Sequence, residues 1–198
     1  MATDIRLATP SDAAAVLEIY GPFCEDSPIT FETRRPTLTE MEGRIRDITE
    51  RFPWLICHNR TDVLGYAYAG SHRERAAYRW SVDVAVYIAG GYRGHGIGTA
   101  LYTALFDVLR IQGFYKAYAG ITLPNPASIQ LHQRLGFELV GVFKCVGFKG
   151  GAWHDVSWWD LTLQATVLEP AETLGITEVI HRSDFLAAIR GAEAVLQR

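Results

Sequence analysis

Ser81-Val82-Asp83-Val84-Ala85-Val86-Tyr87-Ile88-Ala89-Gly90-Gly91-Tyr92-Arg93-Gly94-His95-Gly96-Ile97-Gly98 is the stretch from which the fold is read. Its first half alternates: Val82, Val84, Val86 and Ile88 share one face, and Ser81, Asp83, Ala85 and Tyr87 the other, the two-residue period of a strand. From Ile97 the apolar positions become Ile97, Leu101, Leu105 and Val108, the spacing of a helix that Gly113 stops. Strand, glycine loop, helix is therefore the local order. Glycines at such a junction let backbone N–H groups converge, and the helix N-terminus adds about half a positive charge, so the loop reads as an anion cradle. A glycine-rich turn without a ligand is the other reading of this segment. A nucleoside-triphosphate loop would need Gly-Lys-Ser/Thr, and the dinucleotide fingerprint fails at Thr99 from Gly94 and at Leu101 from Gly96.

Outward from this centre, the pattern is α/β. Ile5 to Ala8 alternates as a strand, and Thr9-Pro10-Ser11-Asp12 starts a helix carrying Ala13, Val16, Leu17 and Tyr20, with Gly21-Pro22 expected to end it. Residues 22–36 read as a loop, and Thr37-Leu38-Thr39-Glu40 is a capping box for a second helix. Trp54 to His58 and Val63 to Ala69 flank a turn at Asn59-Arg60-Thr61-Asp62, a hairpin. Tyr115 to Thr122 is a further strand, Asn125-Pro126-Ala127-Ser128 opens a short helix to Leu135, and 137–148 and 153–163 are two last strands around Lys149-Gly150-Gly151. These elements predict a central mixed sheet flanked by helices. Beyond Glu169-Pro170 the composition changes, and Ser183-Asp184 caps a last helix with Leu186, Ile189 and Leu196. The expected division is a domain over 1–164 and a helical appendage over 165–198.

The 198 residues carry 19 Lys plus Arg against 22 Asp plus Glu, a net charge of −3. Without a basic stripe, nucleic acid is not the expected partner. Cys24, Cys57 and Cys145 are odd in number, widely spaced and without a C-x-x-C pair, so neither a disulfide framework nor a zinc site is indicated. The histidines show no H-x-x-x-H and no G-x-S-x-G occurs, leaving metal and serine hydrolases without support. The N-terminus has no apolar signal core and no apolar run reaches the roughly 18 residues of a membrane span, so a cytoplasmic location without membrane association is expected.

Arg93-Gly94-His95-Gly96-Ile97-Gly98 resembles the Arg/Gln-x-x-Gly-x-Gly signature of the GNAT superfamily of acetyl-CoA-dependent N-acetyltransferases, and Ser128 to Phe137, ending in Leu-Gly-Phe, resembles its second block. Within it, Glu32, Pro36, Pro53-Trp54-Leu55, Tyr68-Ala69-Gly70, Ala77-Tyr78, Trp80, Gln112-Gly113-Phe114, Leu123-Pro124-Asn125 and Gly151 to Val156 are similar to the phosphinothricin acetyltransferase branch, over about residues 4–163. The resemblance implies acetyl-CoA held by Val86, Tyr87 and Ile88 of the strand, by Arg93, Gly94, His95, Gly96, Ile97, Gly98 and Thr99 of the loop, and by Asn125 and Ser128. Asn125 is also read as a plain helix cap. It further implies a homodimer and no metal.

Acetylating an amine needs the nitrogen lone pair, yet an amine of pKa about 10.4 is neutral only about once in 10³ at pH 7, so a base is useful. Asp83 is the ionisable residue on its strand, opposite the valine face, and the resemblance puts the general base there. The branch normally has glutamate, so the shorter aspartate favours a bridging water; an ion pair on the sheet face is the alternative. His154, before Asp155, is implied as a second proton handler, against a structural histidine satisfied by Asp155 or a carbonyl. His132 stands where a proton donor to the thiolate is found in relatives, and equally suits a packed helix histidine. Arg73, Arg75 and Arg79 precede Trp80, and guanidinium forks suit a carboxylate or phosphinate. The resemblance selects Arg73, Arg75 and Tyr78, with Phe31 and Glu32 of the first loop, as acceptor-binding residues; Pro28-Ile29-Thr30 departs from the branch. The expected acceptor is phosphinothricin or methionine sulfoximine. Another small amine, a protein N-terminus, or a coenzyme A-binding module without turnover are the alternatives.

Overall fold

The structure, a computed structural model, describes residues 3–196. Seven strands form one sheet in the order β1-β2-β3-β4-β5-β7-β6. They are β1 (Asp4–Leu7), β2 (Trp54–His58), β3 (Val63–Ser71), β4 (Ser81–Ile88), β5 (Lys116–Thr122), β6 (Glu138–Lys149) and β7 (Ala152–Thr162). All neighbours are antiparallel except β4 and β5, so the expected mixed, mostly antiparallel sheet is what forms. Alternation sorts the side chains. Leu55, Cys57, Ala67, Ala69, Val82 and Val84 pack on one face beneath helix α3 (Ile97–Gln112), while Trp54, Ile56 and Tyr66 pack on the other beneath α1 (Ala13–Asp26) and α2 (Leu38–Thr49).

The Thr37 hydroxyl accepts from the Glu40 amide at 3.2 Å and the Glu40 carboxylate accepts from the Thr37 amide at 2.7 Å, so the predicted capping box starts α2. Gly21-Pro22, expected to stop α1, lies inside it, and the helix runs on to Asp26. Pro22 removes only the bond to the carbonyl of Glu18, a residue on the exposed side, where water can serve it. In return Cys24 is buried at 1% exposure and Phe23 packs edge-on to Tyr87, ring centroids 5.2 Å apart. Apolar burial within the next turn outweighs one missing bond.

From 165 onward the chain forms a turn of helix, α5 (Ile176–Val179), and then α6 (Ser183–Leu196); α4 (Pro126–Arg134) precedes β6. Phe185, Ala188, Ile189 and Ala192 of α6 join the core under α3, whereas Leu186, expected on that face, points outward at 48% exposure. Backbone and side chains lace the segment down: the Trp80 indole N–H donates to the Ala171 carbonyl at 2.8 Å, Arg79 pairs with Glu172 at 2.6 Å, and the Ile5 amide donates to Glu193 at 2.8 Å. Gln112, wholly buried, donates through Nε2 to the carbonyls of Arg51 and Leu174, each at 2.9 Å. Among the described residues no helix is long and apolar enough to cross a membrane.

Replacing Gln112 by leucine leaves the Leu174 carbonyl in this seam without its donor, while the Arg51 carbonyl keeps the Ile176 amide at 3.0 Å. The Gln112→Leu protein is expected to lose about 1–3 kcal/mol, read as a lower urea midpoint at unchanged m-value.

Candidate active site

The β4–β5 contact decides where a ligand fits. The two strands are paired only at Ser81↔Lys116, Val82↔Ala117 and Asp83↔Tyr118, and beyond Asp83 they part. Between them opens a cleft of about 550 Å³, walled by Val84 to Ile88 on one side and by Ala119 to Thr122 on the other, with Tyr102 of α3 and Leu131 of α4 also lining it. The edge of β4 that faced β5 has no strand partner there, so backbone N–H and C=O groups are open to a ligand.

At the mouth stands the glycine loop. Gly94 and Gly96 have φ of +82° and +79°, a conformation from which a Cβ is repelled, and Gly96 caps α3. Arg93, Gly94, His95 and Gly96 are exposed, and the amides from Gly94 to Thr99 have no hydrogen-bond partner among the described residues. Unpaired amides beside a helix N-terminus suit phosphate oxygens. A Cβ on Gly98 would meet the Leu131 side chain at 3.2 Å, so the small residue keeps the floor of the cleft open. The His95 imidazole turns back onto the Arg93 carbonyl at 3.0 Å, and the Arg93 guanidinium lies 5.2 Å from the Phe23 ring centre. Val86, Tyr87, Ile88, Arg93, Gly94, Gly96, Ile97, Gly98, Thr99, Asn125 and Ser128 all line the cleft; His95 is in the loop but not on its wall.

Asn125 caps α4 by accepting from the Ser128 amide at 3.2 Å. His132, one turn on, is 3% exposed. Its Nδ1–H donates to the Ser128 carbonyl at 2.8 Å, which leaves Nε2 to accept from the Tyr102 hydroxyl at 3.2 Å. Burial lowers its pKa, so the ring is neutral, and in this arrangement it has no N–H left for a departing thiolate.

A second hollow is lined by Ser71, His72, Arg73, Glu74, Arg75 and Tyr78, and is linked to Asp83 through His72. Arg79 is drawn away to Glu172, whereas Arg73 and Arg75 have no carboxylate partner among the described residues. Asp83 itself is bound: its Oδ1 lies 2.6 Å from Nδ1 of His72. Burial raises the Asp83 pKa, against the His72 hydrogen bond that favours the carboxylate. The His72 ring stacks on Tyr118 at 4.3 Å and meets Tyr78 and Trp158 edge-on.

The remaining expected residues gather where the first loop meets the β6–β7 hairpin. Glu32 accepts from the Tyr20 hydroxyl at 2.9 Å and pairs with Arg44 at 2.5 Å; burial opposes its charge, but these two partners hold its pKa below the usual range. Phe31 lies 6.3 Å from the His154 ring and so close to Gly147 that any Cβ there would overlap it. His154 donates from Nε2 to the Lys149 carbonyl at 2.9 Å, and Lys149 in turn donates to the carbonyls of Phe23 and Thr30. Asp155 takes Lys144 and the Cys145 amide, both at 2.8 Å. Phe31, Glu32 and His154 are thus anchored to one another's elements and lie outside both hollows. Sequence reading missed Tyr102, Leu131 and the β5 wall, although the alternation of 116–122 beside β4 carries the last of these. It also missed His72, for which no spacing signal exists.

A family model described as an acetyltransferase (GNAT) domain matches residues 5–158. Phosphinothricin N-acetyltransferase of Streptomyces viridochromogenes is 38% identical over 156 residues, 79% of this chain and 85% of that protein. L-methionine sulfoximine/L-methionine sulfone acetyltransferase of Pseudomonas aeruginosa is 33% identical over 178 residues, 86% of this chain and 100% of that one. The crystal structure of a GNAT superfamily phosphinothricin acetyltransferase from Sinorhizobium meliloti in complex with acetyl-CoA superposes with a TM-score of 0.82 at 36% identity, covering 88% of this chain and 96% of the other. A strand parted from its neighbour, a glycine loop at a helix start and this likeness over most of the chain agree: the protein belongs to the GNAT family of N-acetyltransferases.

Proposed function

We propose that the protein transfers acetyl from acetyl-CoA to the α-amino group of a small amino acid whose side chain ends in tetrahedral phosphorus or sulfur, such as phosphinothricin or methionine sulfoximine. The observation that carries the acceptor class is the pair of arginines, Arg73 and Arg75, unpartnered beside Tyr78 in a hollow next to Asp83. Guanidinium forks match carboxylate and phosphinate oxygens and repel a polyamine or aminoglycoside. The unpaired amides from Gly94 to Thr99 suit the pyrophosphate of the co-substrate, and the open edge of β4 at Val86 to Ile88 suits its pantetheine arm.

The chemistry assigned to the chain is positioning, deprotonation and oxyanion binding. Both substrates meet where β4 leaves β5, and reaction needs no acyl-enzyme. Asp83 is the carboxylate on which deprotonation of the acceptor ammonium depends. Backbone N–H groups of the open β4 edge suit the oxyanion that forms when the amine adds to the thioester carbonyl. A thiol of ordinary pKa near 8.5 departs without a strong acid, so His132 is assigned the positioning of Tyr102 and α4 rather than proton donation. His154, Phe31 and Glu32 are assigned the fixing of the acceptor wall. The full chain is proposed to act as a homodimer in the cytoplasm.

Thiol release from acetyl-CoA, followed over a panel of amino-acid analogues, aminoglycosides, polyamines and peptides, tests the reading. Turnover is expected to be highest with the phosphinate and sulfoximine acceptors; preference for a polycation overturns the acceptor class, and no release above background with any amine overturns catalysis. Asp83→Ala is expected to lower kcat roughly 10²-fold at pH 7, with partial recovery as the pH rises and more of the amine is neutral. The double variant Arg73→Ala/Arg75→Ala is expected to raise acceptor KM by roughly ten- to hundredfold while KM for acetyl-CoA stays within twofold.

A further inference from the structure

Asp83 is not a free carboxylate. It holds His72 by a 2.6 Å contact between Oδ1 and Nδ1, and a carboxylate at that distance requires the proton on Nδ1. The neutral ring then carries its lone pair on Nε2. That atom has no hydrogen-bond partner among the described residues, and the ring lines the hollow that also holds Arg73, Arg75 and Tyr78. Three aromatic side chains fix the imidazole: Tyr118 by stacking at 4.3 Å and 19°, and Tyr78 and Trp158 by their edges at 5.9 and 6.3 Å. A base that is held in one tautomer and one plane, on a residue that lines a hollow beside two arginines, is placed for proton abstraction, not for packing alone.

We propose that His72 is the catalytic base of this protein, with Asp83 as its positioning and charge-balancing partner. This rests on the reading of the protein as an amine acetyltransferase. As a class, imidazoles are stronger proton acceptors than carboxylates and better matched to chemistry near neutral pH. In the step, one N–H bond of the acceptor ammonium breaks and its proton joins Nε2, the electron pair staying on nitrogen. The imidazolium is balanced by the Asp83 carboxylate, as a carboxylate steadies imidazolium in a Ser-His-Asp triad. The amine pair then forms the C–N bond, the C–S bond breaks with its pair going to sulfur, and the second nitrogen proton neutralises the thiolate. Nε2 returns its proton to water.

The charged and titratable groups around His72 are Asp83 from β4, Arg73, Glu74, Arg75 and Tyr78 from its own loop and Tyr118 from β5, with Tyr68 of β3 near Asp83. Of these, only Asp83 contacts the ring through a hydrogen bond, so its removal isolates the partnership.

Two measurements on the full chain test the assignment. Nitrogen-15 NMR of the protein without acceptor, with His72 assigned by the disappearance of its signals in His72→Phe, is expected to show neutral His72 protonated on Nδ1, and a lower pKa for it in Asp83→Asn. A ring protonated on Nε2, or a titration unchanged by Asp83→Asn, overturns the dyad whether or not any acceptor is turned over. Kinetically, His72→Phe, which keeps the stack on Tyr118, is expected to lower kcat roughly 10²–10³-fold, to leave KM for acetyl-CoA within twofold, and to abolish the acid limb of the pH–rate profile. An active wild type with His72→Phe at full kcat and an unchanged profile overturns the base while leaving acetyl transfer intact; a wild type inactive on every amine overturns acetyl transfer itself.

Discussion

Everything at the site depends on a parallel pairing that lasts for three residues. β4 and β5 are the one parallel pair in an otherwise antiparallel sheet, and they keep company only from Ser81 to Asp83. The valine face of β4 stays on α3 throughout, while β5 turns instead onto β7, with which it pairs along its whole length from Lys116 to Thr122. Once the strands separate, α3 and α4, joined by the bond between the Tyr102 hydroxyl and His132, lie together against the gap. The sheet therefore carries an interior edge, a row of open backbone groups that elsewhere occurs only at a rim. The glycine loop at the end of β4 is the second consequence, since the chain must turn at once into α3 across the mouth of that gap.

Asp83 sits at the fork itself, opposite Tyr118, at the last paired position before the cleft opens and bonded to His72 of the arginine hollow. Beneath this face an aromatic stack of Trp54, Tyr66, Tyr68 and Tyr87, with Tyr20 edge-on, forms a stiff floor. Aromatic rings have few torsions to freeze and fill large volumes, so they hold a cleft wall in place where a shorter aliphatic side chain would let it collapse. The loop before α2 is pinned over that floor by the Tyr20, Glu32 and Arg44 network and by Lys149 reaching across from β6.

What was legible in the sequence was what repeats or caps. The alternation of β4, the helical spacing of α3, the Thr37 capping box and the Asn125 cap each have a local cause, and each formed where expected. The run of α1 through Pro22 was not legible, because the apolar gain at Phe23 and Cys24 is tertiary and outruns a local stop signal. The partnership of His72 with Asp83 was equally hidden. β3 ends at Ser71, so the residue after it leaves the register that would have paired it with a predictable neighbour, and its direction is set by Tyr118 on a strand far along the chain. His132 shows the same limit from the other side. Its place on α4 is readable, but the 2.8 Å bond to the Ser128 carbonyl that sets its tautomer is not.

The clamp of Arg79 and Trp80 onto Glu172 and Ala171 gives the arginine loop one fixed end. The other end is the close of β3 at Ser71, inside the sheet. Residues 72–78 are thus strung between the sheet and a segment more than ninety positions later in the chain. A substitution in that late segment therefore acts on the loop that carries two guanidinium groups without changing any residue of either hollow.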